Sequence, residues 1–168
     1  MTSIYRNSSR RLRAATNLLE LAAVKGVSNS KKSIYYQSAM ILYCSIAEAL
    51  TYELVRNLTI SSGHVVSETT EYKELLRIKS KTLSSTNDLF ICLKNKKNLL
   101  LDDADFGKYL IFLKNNKSIS YPKYVQLNWV RVERNKIHMQ GIQELDVGYT
   151  KKKIERVANC INYLLDKI

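Results

Sequence analysis

The stretch that decides the fold class is Ile34–Leu58, IYYQSAMILYCSIAEALTYELVRNL, which reads as one helix of about seven turns. Ser30 or Ser33 can cap its start, and Ser61-Ser62-Gly63 ends it. The apolar residues that recur at helical spacing are Met40, Ile41, Cys44, Ala47, Leu50, Leu54 and Val55. The sequence therefore predicts a long helix here, and the other segments are interpreted around it.

The composition extends this prediction to the whole chain. Among 168 residues there are only five Gly and one Pro, too few for the frequent turns of a sandwich or barrel. We predict an all-α fold, an up-and-down bundle of about five helices in a single domain over residues 1–168. Apolar spacing and capping residues place the other four helices at 9–24, 106–114, 122–140 and 150–167, with a loop at 142–149.

Residues 64–101 are predicted to form a less regular insertion in this bundle. Glu68–Ile78 has the spacing of a short helix. Two short apolar runs, Leu89–Leu93 and Leu99–Leu101, flank the sequence KNKKN at 94–98. This basic sequence can be a hairpin turn or an exposed loop, so the insertion can include a short β-hairpin.

Charge and cysteines constrain the partners and the compartment. Twenty-seven Lys and Arg against 15 Asp and Glu give a net charge of +12, which favours a polyanion such as nucleic acid, an acidic protein or a membrane surface. Three widely spaced cysteines form no metal-ligand pattern, so we expect reduced thiols and no metal or other cofactor. The longest apolar run, Ala39–Leu50, is too short to span a bilayer and contains Glu48. We expect a cytoplasmic protein that does not enter a membrane.

The helix at 122–140 has an unusual distribution of polar residues. A helical wheel places Glu133, Gln126, Gln140 and Lys136 together, and we predict that this face meets solvent. The opposite sector, predicted to point into protein, holds Tyr124, Asn128, Arg131, Arg134, Asn135 and His138. Because a buried arginine is costly without a partner, this sector needs a carboxylate, a second subunit or a bound anion. A purely structural network of these side chains is the alternative.

The spacing of these residues suits a phosphodiester. Arg131 and His138 are two helical turns apart, roughly 10 Å along the axis, and Arg134 is one turn before His138. Guanidinium groups bind anionic oxygens through forked donors, and an imidazole can transfer a proton near neutral pH. Asn135 can donate to or accept from a ribose or phosphate oxygen.

The string Arg131-Val132-Glu133-Arg134-Asn135-Lys136-Ile137-His138 resembles the signature of the HEPN superfamily, a motif of Arg, four to six residues and then His. Arg131 has the spacing to His138, whereas Arg134 has the polar neighbour, Asn135, that usually follows the motif Arg. Many members are compact helical bundles and metal-independent RNases that act as toxins or in phage defence. The resemblance therefore implies a catalytic set of His138, Arg131, Arg134 and Asn135, commonly shared across a homodimer.

Charged residues outside the motif complete the predicted site. Glu48 has mostly apolar helical neighbours, so it is expected to point inward, and we pair it with Arg131 or Arg134; a solvated glutamate is the alternative. Lys151, Lys152 and Lys153 begin the last helix and are candidate RNA contacts, although such a run is also common on a solvated face. His64 is expected to face solvent.

Two functions remain open at this point. The first is an endoribonuclease that uses the 2′-oxygen of RNA as its nucleophile in a homodimer, with an antitoxin or regulatory protein as a further partner. The second is a non-catalytic module that binds nucleic acid, nucleotide or a partner protein. The basic charge suits both functions.

Overall fold

The computed structural model describes residues 3–78, 89–139 and 149–168. In these ranges the chain forms five α-helices and one β-hairpin, joined in part by the 3₁₀ turns Ile60–Ser62 and Leu101–Asp103. In chain order the elements are α1 (Ser3–Ala23), α2 (Asn29–Thr59), β1 (Val65–Ile78), β2 (Leu89–Leu100), α3 (Phe106–Asn115), α4 (Tyr121–Met139) and α5 (Lys151–Leu165).

The long helix predicted from Ile34–Leu58 is confirmed as α2, which begins five residues earlier, at Asn29. Ser28 is its cap, with extended backbone and a hydroxyl that accepts from the Lys31 amide, so the prediction of Ser30 or Ser33 was wrong. After α2, the 3₁₀ turn ends at Gly63, whose φ of 66° is the left-handed conformation that glycine tolerates best.

The other four helices are also confirmed, with shifted ends. α3 begins after Asp105, whose carboxylate accepts from the Lys108 amide, and α5 begins after Thr150, whose hydroxyl accepts from the Lys153 amide. α1 begins earlier than predicted, at Ser3. The predicted stop of α4 at Gly141, and the loop predicted at 142–149 except for its last residue, lie outside the described residues.

The all-α prediction was wrong, because β1 and β2 pair in an antiparallel sheet that has two strands in the described part of the chain. The segment Glu68–Ile78, predicted as a helix, belongs to β1, and the basic sequence at 94–98 lies inside β2 rather than in a turn. The fold is therefore mixed. Lys96 and Lys97 instead pair across the strands with Glu68 and Glu71, each at 3.3 Å.

The hairpin extends away from the helices. Near its base, Val66 is buried in the common core, next to the strongly buried Leu101 that follows β2. Farther out, the described side chains of 68–75 and 91–98 are exposed on both faces of the sheet. We call these two segments the hairpin arm. Its solvation on both faces explains why its sequence lacks the alternation of apolar and polar residues that marks a half-buried strand.

α2 is the central helix, packed against α1, α3, α4 and α5. Buried side chains from all five helices form one core cluster, which includes Met40, Leu50, Leu110, Val130 and Val157. Asn29–Ser62 is long and apolar enough to cross a membrane by length and composition, but 61% of its most apolar window is buried inside the fold. A helix at the centre of a bundle shows this same property.

Candidate functional site

The orientation of α4 differs from the predicted one. Its buried face consists of Leu127, Val130 and Ile137, together with Glu133, which is only 3% exposed. The prediction that Glu133 meets solvent was therefore wrong. The predicted inward sector, Tyr124, Asn128, Arg131, Arg134 and Asn135, is half-buried and lies along one edge of the core-facing stripe. These polar groups keep some contact with solvent, which a site that binds a soluble anion requires.

Glu133 is a buried carboxylate that two lysines neutralise. Its Oε1 lies 2.9 Å from Lys136 Nζ, and its Oε2 lies 3.5 Å from Lys153 Nζ on α5. Lys153 Nζ also lies over the ring of Tyr149, 5.0 Å from its centroid. A carboxylate with so little solvent needs such partners, since an unpaired buried charge is costly.

The predicted pairing of Glu48 with an arginine of α4 is confirmed, and the partner is Arg134. Arg134 Nη2 lies 2.9 Å from Glu48 Oε2, and the two side chains keep 32% and 26% of their exposure. The bridge connects α4 to the central helix α2. It also offsets the charge of Arg134, so this residue presents less net positive charge to a ligand than the sequence suggests.

Arg131 has a different environment. Its Nε donates to Asn128 Oδ1 at 2.9 Å, and no carboxylate in the described part of the chain lies within ion-pair distance of its guanidinium. The side chain borders an open groove of about 220 Å³ that Asp105, Lys108 and Tyr124 also line. Its two terminal nitrogens are therefore donors at the edge of a small, net positive groove.

Gly107 lies close to both Asp105 and Arg131 at the start of α3. A Cβ at position 107 would lie 3.6 Å from Arg131 Cδ and 3.1 Å from Asp105 Oδ1. The second distance is tighter than ordinary packing, whereas the first is an ordinary van der Waals contact, so an added Cβ would push on Asp105 rather than on Arg131. Sequence reasoning missed this contribution of α3, and only the Asp-x-Gly spacing at 105–107 hinted at it.

His138 and Asn135 complete the predicted catalytic set. Asn135 is half-buried beside Arg134, while the side chain of His138 lies outside the described part of the chain. The backbone of α4 is helical at both positions, so His138 is two turns after Arg131 and on the same side of the helix. Arg131, Arg134 and His138 thus follow one another along one side of α4.

The predicted RNA contacts at the start of α5 fall into two kinds. Lys151 and Lys152 are exposed, and Lys151 Nζ lies 3.7 Å from Glu155 in a weak surface pair. Lys153 is instead bound to the buried Glu133. Its position indicates a role in stability, which separates it from its two neighbours.

A network of aromatic and acidic groups lies next to the site and was missed by sequence reasoning. Tyr52, one turn after Glu48 on α2, donates to Asp102 Oδ1 at 2.9 Å, and its ring packs edge-on against Tyr109. Desolvation raises the pKa of Tyr52, and the hydrogen bond to Asp102 adds to this shift. Burial, with a smaller contribution from Tyr52, raises the pKa of Tyr109 to about 12. Both phenols therefore stay protonated donors at neutral pH.

The described residues contain no group of three or more His, Cys, Asp or Glu side chains that could hold a metal ion. The groups suited to a ligand are instead the guanidinium of Arg131, the ammonium of Lys108 and the amide of Asn128. These donors favour an anion with several oxygens, such as a phosphate, whereas the start of α3 is already capped by the Asp105 carboxylate.

In comparisons with known proteins, no family model, no curated protein and no solved structure matches the chain significantly. The resemblance to the HEPN superfamily thus depends on Arg131, Arg134, Asn135 and His138 themselves.

Proposed function

We propose that this protein is a metal-independent endoribonuclease of HEPN type, with its site on α4. The observation that carries the proposal is the state of Arg131, which is half-buried, positioned by Asn128 and without a carboxylate partner in the described ranges. Such an arginine is prepared for an anion from outside the chain. The net charge of +12 favours a polyanionic substrate and supports RNA as that anion.

The proposed reaction is an internal transfer of the phosphodiester. A base removes the proton of the ribose 2′-hydroxyl, and the 2′-oxygen attacks the adjacent phosphorus. The bond from phosphorus to the 5′-oxygen breaks, and an acid protonates the leaving oxygen. The products are a 2′,3′-cyclic phosphate and a 5′-hydroxyl end. Arg131 stabilises the charge that develops on the phosphate, and His138 transfers the proton.

A homodimer belongs to the proposal. Each chain places one histidine, His138, on α4, whereas the reaction needs a base and an acid. A two-fold axis beside α4 brings two copies of His138 to one cleft.

The proposed biological role is that of a cytoplasmic toxin or a phage-defence effector, held inactive by an antitoxin or a regulatory protein. The alternative function is a non-catalytic module that binds nucleic acid, nucleotide or protein. The Glu48–Arg134 bridge favours this alternative, because it gives one motif arginine a structural partner. The two functions share the α4 surface and differ in whether a phosphodiester bond breaks.

The deciding experiment incubates purified protein with single-stranded RNA in excess EDTA and examines the ends of the products. We expect cleavage with 2′,3′-cyclic phosphate ends, its loss in His138→Ala, and its retention in Gln126→Ala, a change on the same helix outside the motif. Circular dichroism verifies that both variants fold. Cleavage by His138→Ala refutes the catalytic assignment, and RNA binding without cleavage by the wild type establishes the alternative.

A further inference from the structure

A second cavity lies at the base of the hairpin arm, outside the site on α4. It has a volume of about 310 Å³, and its walls come from the end of α2, the turn after it and the end of β2. The polar groups that line it are Tyr52, Arg56, His64 and Asp102, and Leu100 and Leu101 form its apolar wall. A small cavity with apolar walls and a few converging polar groups is typical of a ligand site.

The walls of this cavity are fixed by hydrogen bonds. The Leu101 amide donates to the His64 carbonyl at 2.9 Å, and the Tyr109 hydroxyl donates to the Leu101 carbonyl at 3.1 Å. His64 itself has a φ of 65°, a left-handed conformation that costs energy in a residue other than glycine. Strained residues of this kind concentrate at functional sites. His64, which was predicted to face solvent, is half-buried here.

Hydrogen bonding determines which nitrogen of His64 is available. The Thr59 hydroxyl lies 2.9 Å from the Val55 carbonyl oxygen, which can only accept, so the hydroxyl proton points there. Thr59 Oγ1 also lies 3.3 Å from His64 Nδ1, and this contact then requires a proton on Nδ1. In the neutral imidazole, Nε2 therefore has the free lone pair and is an acceptor.

The charges of the cavity disfavour a phosphate. Arg56 Nη1 lies 3.1 and 3.2 Å from the two oxygens of the buried Glu53, which offset its charge. Its other nitrogens remain hydrogen-bond donors. Asp102 accepts from Tyr52 through Oδ1 and keeps further lone pairs. The cavity thus contains one compensated cation and one carboxylate, an environment that suits a neutral ligand with both donors and acceptors.

We infer that this cavity recognises a guanine base of single-stranded RNA. The N1–H and the exocyclic amine of guanine are adjacent donors that a carboxylate such as Asp102 can accept. Its O6 and N7 are acceptors that match an arginine such as Arg56. Adenine has no N1–H, uracil has no exocyclic amine, and cytosine has no ring N–H beside its amine. Leu100 and the ring of Tyr52 offer the apolar surfaces that a base packs on.

The position of the cavity links it to the proposed function, on which this inference rests. Glu48, Tyr52 and Arg56 are four residues apart along α2, so they lie on one face of the helix. Glu48 binds Arg134 of the candidate site, whereas Arg56 lines the cavity, roughly 12 Å farther along the axis. A single RNA strand along this face would reach the arginines of α4 with a phosphate and the cavity with a neighbouring base.

The test measures binding of the four nucleoside 5′-monophosphates GMP, AMP, CMP and UMP by calorimetry or ligand-observed NMR. All four have the same phosphate, so a difference in affinity reports the base. We expect GMP to bind at least tenfold more tightly than the other three. Asp102→Asn should remove this preference and leave the affinity for AMP unchanged. Asp103→Asn, in the same 3₁₀ turn but outside the cavity, is the matched control and should keep the preference.

Equal affinities for the four nucleotides, no binding at all, or a preference for another base would each overturn the inference, as would a GMP preference that persists in Asp102→Asn. Thermal denaturation of Asp102→Asn and Asp103→Asn shows whether each variant retains the fold. His64→Asn provides a second variant of the cavity, because asparagine tolerates the left-handed backbone at this position. A GMP preference in a protein that cleaves no RNA would leave the cavity assigned and remove the proposed function. RNA cleavage by a protein that binds the four nucleotides equally would support the proposed function and remove the assignment of the cavity to guanine.

Discussion

Arg134 Nη2 and Glu48 Oε2 lie 2.9 Å apart and join the motif helix α4 to the central helix α2. This bridge adds to the buried Leu127, Val130 and Ile137 in holding the rotation of α4 about its axis. That rotation determines where Arg131, three residues earlier, meets the start of α3. The carboxylate therefore acts on the candidate site through positioning.

Replacing Glu48 with Gln should destabilise the fold by about 1–2 kcal/mol, because Arg134 loses its counter-charge in a partly desolvated site. A fully buried pair would lose about 3 kcal/mol or more, but both side chains retain about a quarter to a third of their exposure. The measurement is urea denaturation. Glu68→Gln, which removes an exposed cross-strand pair with Lys96, should change stability by less than about 0.5 kcal/mol. Equal losses in both variants would show that the Glu48–Arg134 bridge contributes no more to stability than an exposed surface pair.

Lys153→Ala should be more destabilising than Lys152→Ala, although the two lysines are neighbours. Lys153 compensates the buried Glu133, whereas Lys152 is exposed. We expect a loss of about 2 kcal/mol for Lys153→Ala and less than about 0.5 kcal/mol for Lys152→Ala in denaturant unfolding. If the two substitutions weaken RNA binding equally and neither lowers the free energy of unfolding, the role of Lys153 as the partner of the buried Glu133 is refuted.

The thiols should differ sharply in reactivity. Burial, followed by the nearby carboxylate of Glu133, raises the pKa of Cys44 from 9.0 to about 12, and burial also raises the pKa of Cys160. Cys92 on the hairpin arm is exposed. A thiol reagent at pH 8 should therefore modify one cysteine in the folded protein and three in denaturant, with mass spectrometry identifying Cys92. Rapid modification of Cys44 in the folded protein would contradict this packing.

The same shift predicts a pH dependence of stability. The folded state holds the Cys44 proton more tightly than the unfolded state, whose thiol titrates near the ordinary value of 9.0. The stabilisation is therefore complete below pH 9 and decreases as the pH rises from 9 towards 12. Denaturant unfolding at pH 8 and at pH 10.5 measures this change in the free energy of unfolding. The free energy of unfolding of Cys44→Ser should decrease less over this interval than that of the wild type.

The sequence was sufficient for the helices and insufficient for the hairpin arm. Periodic apolar residues and local caps such as Asp105 and Thr150 mark helices because helical hydrogen bonds are local. The pairing of β1 with β2 joins residues up to 35 positions apart, such as Val65 with Leu100, and local spacing does not reveal it. The basic run at 94–98 resembled a turn because its partners are on the other strand.

The candidate site shows a similar division. The Glu48–Arg134 pair was predictable because both residues stand out from apolar neighbours on their helices. The orientation of α4 was not, since polar residues lie on both sides of its core stripe and the wheel alone does not show which side α2 and α5 cover. Glu133 was misplaced for this reason, because Lys153 on α5 provides its compensating charge.

The last prediction separates the two motif arginines by their contacts. Asn128 holds Nε of Arg131, so the terminal nitrogens of this guanidinium form the fork available to a phosphate. Arg131→Lys keeps the charge but loses the fork. It should reduce RNA cleavage at least tenfold, and leave both the free energy of unfolding and the salt dependence of RNA binding unchanged. Arg131→Gln also removes the charge, so the slope of log affinity against log salt concentration should decrease by about one.

Arg134→Gln should reduce stability as well as cleavage, because it breaks the bridge to Glu48. Filter binding at several salt concentrations, product analysis and urea denaturation measure the three quantities. Wild-type cleavage by Arg131→Lys would show that the phosphate is held elsewhere, whereas an Arg134→Gln variant of full stability would show that the bridge to α2 does not position the helix.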